Sequence, residues 1–197
     1  MVDPVAMAHM SGSHLGGSIH PEGDPNTWMP DVWQHLIEKY DVLSMLDIGC
    51  GTGVNTAWFE KHCARVIGID GTPEYVEQSK LRRESRVVHD YTKGPYDPGF
   101  ISDLAWSSEF VEHVEEQFIP NFMATFQRCR YVCITHATPG QGGINHMNEQ
   151  SSEYWIAQFA YYGFRYDAEE TAALRATDSG QPYGRRTLLF FVNEAKP

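Results

Sequence analysis

Two stretches of this 197-residue chain bring together residue types that could do chemistry. The first is Leu46-Asp47-Ile48-Gly49-Cys50-Gly51-Thr52-Gly53, which follows an apolar run and opens an amphipathic one. Glycines at alternate positions let backbone amides approach a ligand closely, since side chains there would collide with it. A nicotinamide fingerprint spaces its glycines G-x-G-x-x-G, whereas here position 54 is Val and the third glycine comes one residue early. Alone, the motif is also what a tight turn between strand and helix requires. It is not alone. Asp70 ends the next apolar run, 17 residues beyond Gly53, where a carboxylate can accept both ribose hydroxyls of a nucleoside. His89-Asp90 ends the third run, where a short acidic side chain can accept from an adenine amino group. Three successive runs thus each deliver a carboxylate at the carboxyl end, where open α/β sheets bind ligands.

The second stretch is Glu109-Phe110-Val111-Glu112-His113-Val114-Glu115-Glu116. On a helix, Glu109 and His113 share a face and Glu112 lies on its flank. Two carboxylates and an imidazole in that arrangement could hold a divalent ion, or the imidazole could act as a base. A solvated helix start is the plain alternative. Downstream, the connection from Thr135 to Gln150 combines flexible glycines with His136, His146, two Asn and two Gln. Such a loop can line a polar substrate pocket, and it can also be a surface loop that is polar because loops are. His35 and His62 sit on expected helices and read as surface residues.

These residues need a frame. Short apolar runs at 42–48, 65–69, 86–89, 102–106 and 130–135 read as strands, and amphipathic stretches at 31–40, 54–63, 73–83, 109–128 and 151–162 read as helices. That alternation predicts a parallel sheet covered by helices on both faces. The end differs: 164–166 and 187–192 look like an antiparallel hairpin closed by a long loop.

The arrangement resembles the class I S-adenosylmethionine-dependent methyltransferases over residues 30–193. The resemblance implies a Rossmann-like α/β fold with seven strands, mostly parallel, the last antiparallel. It also implies a cofactor set of Asp47, Gly49, Cys50, Gly51, Gly53, Asp70, Gly71, His89, Asp90, Tyr91, Trp106 and Ser107. The turn would hold the methionine portion of S-adenosylmethionine, Asp70 the ribose and Asp90 the adenine. The E-x-x-E-H run is similar to one in ubiquinone-pathway O-methyltransferases and in enzymes that 2′-O-methylate the 3′ end of small RNAs. This second resemblance implies that Glu109, Glu112, His113 and a later histidine, His146 or alternatively His136, hold Mg2+ or Mn2+. The expected activity is methyl transfer to a small polar acceptor, most often at oxygen, with His113, His136 and His146 as base or metal candidates. A binding module that has lost catalysis and a nucleotide-dependent oxidoreductase with an altered glycine turn stay open.

Composition narrows the partners. With 15 Lys or Arg against 26 Asp or Glu, the formal net charge is −11, which argues against indiscriminate phosphate-backbone binding. No apolar run approaches the roughly 20 residues a bilayer helix needs. Cys50, Cys63, Cys129 and Cys133 lack zinc-ligand spacing and read as free thiols, and no signal peptide is visible, so the expected compartment is the cytoplasm. One domain over 30–197, as monomer or homodimer, is expected. Residues 1–29 read as a loop-like segment, its first ten residues partly a cloning remnant. With Gly16, Gly17, His20, Asp24, Thr27 and Trp28 it is either a lid over the cofactor or a disordered leader.

Overall fold

The computed structural model describes residues 14–17, 22–177 and 182–195. Seven strands form one sheet: β1 (Ser44–Ile48), β2 (Arg65–Asp70), β3 (Arg86–Val88), β4 (Ser102–Ser107), β5 (Cys129–Ile134), β6 (Phe164–Tyr166) and β7 (Leu189–Asn193). Their order is β3-β2-β1-β4-β5-β7-β6. β1 to β5 pair in parallel, while β7 runs antiparallel to both β5 and β6. This is the expected Rossmann-like arrangement. Order reverses at β1, so β1 and β4 diverge into a crevice at their carboxyl ends, the place where such sheets bind ligands.

The helices are α1 (Pro30–Tyr40), α2 (Val54–Phe59), α3 (Pro73–Gln78), α4 (Ile119–Phe126), α5 (Ser152–Tyr161), α6 (Ala168–Ala176) and α7 (Pro182–Thr187). They cover both faces of the sheet, because alternate residues of the strands are apolar on both sides. On one face Leu46, Ile48, Ile134 and Phe191 pack against Phe122 and Phe126 of α4 and Trp155 and Phe159 of α5. On the other, Met45, Leu104, Trp106 and Phe190 pack against Trp33 and Leu36 of α1, Phe59 of α2 and Leu174 of α6. All four cysteines are free. Among the described residues, no helix is long and apolar enough to cross a membrane.

Two expectations change. The stretch 109–128 is not one helix: only Ile119–Phe126 is α-helical, preceded by single 3-10 turns at Val111–His113 and Glu116–Phe118. Pro120, at the start of α4, suits a first helical turn, and Glu109, with φ of 49°, cannot continue a right-handed one. Glu109 and His113 therefore share no helical face. The long loop before β7 is also corrected, since it carries α6 and α7. α6 starts on a side-chain cap, Asp167 Oδ1 accepting from Glu170 N at 3.0 Å. It escapes a hydrophobicity reading because its buried positions are Glu170, Thr171 and Leu174. The Glu170 carboxylate, 3% exposed, meets His35 at 2.9 Å and Lys39, so His35 is an interhelical partner and not a bare surface residue.

Candidate active site

A cavity of about 660 Å³ opens over the carboxyl ends of the parallel strands. One half is built from the glycine turn and the ends of β2 and β3. At Gly49 the backbone has φ of +78°, and a β-carbon there would stand 2.5 Å from the Phe110 ring, so the turn needs glycine on both counts. Asp70 braces that turn from the neighbouring strand: Oδ2 accepts from Gly51 N and Oδ1 from Thr72 N, both at 2.8 Å. Asp47 lies beneath, 2% exposed, accepting from Thr56 Oγ1 at 2.6 Å. Burial, outweighing that hydrogen bond, pushes its carboxyl up to about 7. Asp90 accepts from Thr92 N at 2.8 Å and Thr92 Oγ1 at 2.7 Å, and its other oxygen meets His14 Nε2 at 3.0 Å. Burial works to raise Asp90, but these hydrogen bonds outweigh it and hold the carboxyl below its ordinary value.

Cys50, Gly71, His89 and Tyr91 line the same half. Three expected cofactor residues do not. Trp106 points into the core, edge-on to Trp33 with ring centroids 5.7 Å apart. Ser107 is fully buried and donates to Ile48 O at 2.7 Å. Gly53 faces Leu81 and lies outside the cavity lining. Strand alternation decides the first two: one turns to the helix-covered face, and the hydroxyl of the other is spent on β1.

Residues 14–17 cross the mouth. Asn145 Nδ2 donates to Leu15 O at 3.1 Å and Gly16 O at 2.9 Å, and Tyr75 OH donates to Gly17 O at 3.1 Å. Gly23, Asp24 and Thr27 line the cavity farther along, whereas His20 lies outside the described residues.

The other half is built by the turn after β4 and the loop after β5. Main-chain bonds lace the two together, Met147 N and Asn148 N both donating to Glu112 O at 2.9 Å. His113 and His146 face each other edge-on, ring centroids 4.8 Å apart. His113 Nδ1 is 3.2 Å from Asn145 O, and His146 Nδ1 is 2.8 Å from Glu149 Oε1. Each ring therefore keeps Nε2 for another partner. Burial, then the neighbouring His146, pushes His113 down to about 4, so its imidazole is neutral at physiological pH. One ligand atom each from Glu112, His113 and His146 fall within 4.8 Å of one another. Glu112 is fully buried and neither carboxyl oxygen has a hydrogen-bond partner. Burial, with the adjacent Glu109, raises Glu112 well above the usual carboxylate range, and burial raises Glu109 as well.

His136 does not join this group. It is fully buried, outside the lining, with Nδ1 3.1 Å from Ala137 O and Nε2 3.0 Å from Ser152 Oγ. Its side chain ties β5 to the start of α5. The lining also includes residues that the sequence does not single out, Asn55, Tyr75 and Tyr183 among them. Asn55 was findable, sitting in the first turn of the helix that the glycine motif opens. Tyr183 was not, because α7 was read as loop.

The sheet order, the braced glycine turn and the acids ending β2 and β3 are the arrangement of the class I S-adenosylmethionine-dependent methyltransferases, and comparison with known proteins supports that class for this chain. Residues 46–134 match the family model described as a methyltransferase domain. The ubiquinone biosynthesis O-methyltransferase of Rhodopseudomonas palustris (strain BisA53) is 37% identical over 78 residues, which cover 38% of this chain and 31% of that protein. The matched stretch thus spans about a third of that relative. Among solved structures, the sugar N-methyltransferase KedS8 from Streptoalloteichus sp ATCC 53650 has a TM-score of 0.64 at 18% identity, covering 82% of this chain and 85% of its own. The plantazolicin methyltransferase BpumL, solved with a desmethyl analogue and S-adenosylhomocysteine (SAH), has a TM-score of 0.58 at 15% identity, covering 83% and 81%. At these identities the solved structures support the fold alone.

Proposed function

We propose that the chain moves the methyl group of S-adenosylmethionine to an oxygen of a small polar acceptor, with His146 as the base. The observation that carries this reading is one cavity whose cofactor half is braced by Asp70 and whose other half is lined by the facing rings of His113 and His146. The glycine turn and its Asp70 brace would seat the methionine and ribose portions, and Asp90 the adenine after exchanging His14 for it. Methyl transfer from a sulfonium is an in-line displacement on an activated carbon, so alignment does most of the work. The carbon–sulfur bond breaks, the carbon–oxygen bond forms, and the acceptor's proton passes to His146 Nε2. Glu149, on the opposite ring nitrogen, fixes the tautomer and stabilises the imidazolium that results. Neutral His113 orients the acceptor hydroxyl. Residues 14–17 and 22–27 cover the cavity and exclude water while the methyl moves.

A second reading keeps the same residues, favoured by the unpartnered Glu112 oxygens. Glu112, His113 and His146 present two imidazoles and a carboxylate at a separation that fits a divalent cation, which would lower the pKa of a bound acceptor hydroxyl. The Nδ1 contacts of His113 and His146 are the kind of outer partners that orient metal-binding imidazoles.

Calorimetry against SAH, followed by incubation with labelled methyl donor and a metabolite extract, tests the proposal. Binding with label in a new small molecule supports it. Binding without turnover makes the chain a cofactor-binding module, and no binding overturns the assignment. Activity and thermal stability indifferent to chelator and to added manganese would remove the cation reading.

A further inference from the structure

Residues 14–17 reach from one half of the cavity to the other, and all of them line it. At one end His14 Nε2 stands 3.0 Å from Asp90 Oδ2, just past β3. Leu15 follows, its side chain lying on Gly71 at the end of β2, so that a β-carbon at Gly71 would stand 2.6 Å from Leu15 Cδ2. At the other end Gly17 lies on the His113 ring, where a β-carbon at Gly17 would stand 2.9 Å from Cε1. This strap therefore touches both the acid assigned to the adenine and an imidazole of the acceptor half.

The strap belongs to no helix or strand, so its carbonyls depend on side chains that reach it from elsewhere. Tyr75, on α3, donates to Gly17 O at 3.1 Å. Asn145, in the loop after β5, donates to two successive carbonyls, Leu15 O at 3.1 Å and Gly16 O at 2.9 Å. Asn145 has a second task. Its own carbonyl stands 3.2 Å from His113 Nδ1, and since a carbonyl only accepts, that nitrogen carries the ring proton. The backbone at Asn145 takes φ of 57°, a left-handed conformation that asparagine enters more readily than most residues with a side chain. One residue thus joins the strap, the acceptor loop and His113.

A segment held only by a few side-chain bonds opens locally at low cost. The bonds from Asn145 run from protein to protein, so they oppose passage through the mouth in both directions. We propose that Asn145 is a positioning residue whose amide latches residues 14–17 over the cavity, so that closing the mouth and setting His113 between Gly17 and the Asn145 carbonyl are one event. The latch sets how fast cofactor enters and product leaves. This rests on the methyltransferase reading above.

The test follows SAH binding to the full chain by stopped-flow fluorescence and calorimetry. Asn145→Gly keeps the left-handed backbone and the carbonyl that meets His113, and removes only the amide. Association and dissociation are both expected to quicken by about tenfold, the scale of two lost hydrogen bonds, with Kd kept within about threefold. Asn145→Asp, of the same shape but setting a carboxylate against two carbonyls, should quicken both by more. In the SAH complex the His113 ring resonances, sharp in wild type, are expected to be exchange-broadened in Asn145→Gly. Gly17→Ala, which presses a methyl on the His113 ring and leaves Asn145 intact, should give the same pattern and serves if the Asn145 variants fail to fold. Rates within about twofold of wild type in the folded variants would overturn the latch. So would faster dissociation alone with a matching loss of affinity, the mark of a lost ligand contact, or His113 resonances that stay sharp. A wild-type chain that does not bind SAH defeats the methyltransferase assignment, whereas normal binding with unmoved rates defeats only the latch.

Discussion

Asp70 and Glu109 stand at the two ends of one cavity and are treated in opposite ways by the chain. Asp70 receives backbone donors from Gly51 and Thr72, so the glycine turn is braced before any ligand arrives. Glu109 and Glu112 are left with three unpartnered buried oxygens between them, and a pair of imidazoles nearby keeps both Nε2 atoms uncommitted. The half that meets an unvarying ligand is rigid main chain on a sheet edge, which gives precise placement at little entropic cost on binding. The half we assign to the acceptor is a turn and a loop laced together by main-chain bonds, and on that proposal selectivity rests there.

Substitutions can break this contrast. The largest effect falls on chemistry: His146→Ala is expected to lower kcat by about 10²- to 10³-fold in methyl-transfer assays while SAH affinity in calorimetry stays unchanged. Equal losses in kcat and in SAH affinity would show that the two halves are not separable. Asp70→Ala should weaken SAH by roughly 10- to 100-fold, the scale of a charged hydrogen-bonding group lost from a binding site. Affinity retained within a factor of two would mean that the carboxylate only braces the turn.

Two smaller effects concern the protein's own stability. Asp47 is raised from 3.8 to about 7 by burial, so between those values the native state holds a proton that the unfolded chain has released. The stability this group contributes is complete below about 3.8 and is lost as pH rises through about 7. Asp47→Asn is therefore expected to flatten the decline of Tm between about pH 4 and pH 7, and an unchanged slope would assign the pH dependence to Glu112. His136→Ala should cost about 1–2 kcal/mol in denaturant unfolding, through the bond to Ser152 and the space it fills, with SAH affinity and kcat unaltered. A drop in kcat without loss of stability would place His136 back in the site.

Much of the cofactor half was legible from Asp47, Gly49, Gly51, Asp70 and Asp90 because backbone geometry constrains it. A turn that must expose amides needs glycine, and the acids stand at strand ends that hydrophobic runs mark clearly. The acceptor half was legible in composition and misread in geometry. Glu109 and His113 are expected on one helical face with Glu112 on its flank, yet Glu109 adopts a left-handed conformation and His113 reaches His146 from a 3-10 turn. Trp106, Ser107 and His136 show the limit from the other side. Each stands at or beside a strand end near the cavity, and each is turned away by alternation or by a partner distant in sequence.

The sequence by itself determined the alternation of strands and helices, the glycine turn, and the acids at the ends of β2 and β3. These are local properties, set by periodicity, by the steric freedom of glycine and by residue type. Tertiary structure alone decided that His146 and not His136 faces His113, that Glu112 is buried without a partner, and that residues 14–17 lie across the mouth. Those outcomes depend on how loops more than 30 residues apart are laced together, His113 to Asn145 and Glu112 to Met147 among them, and on which side of a strand each side chain leaves.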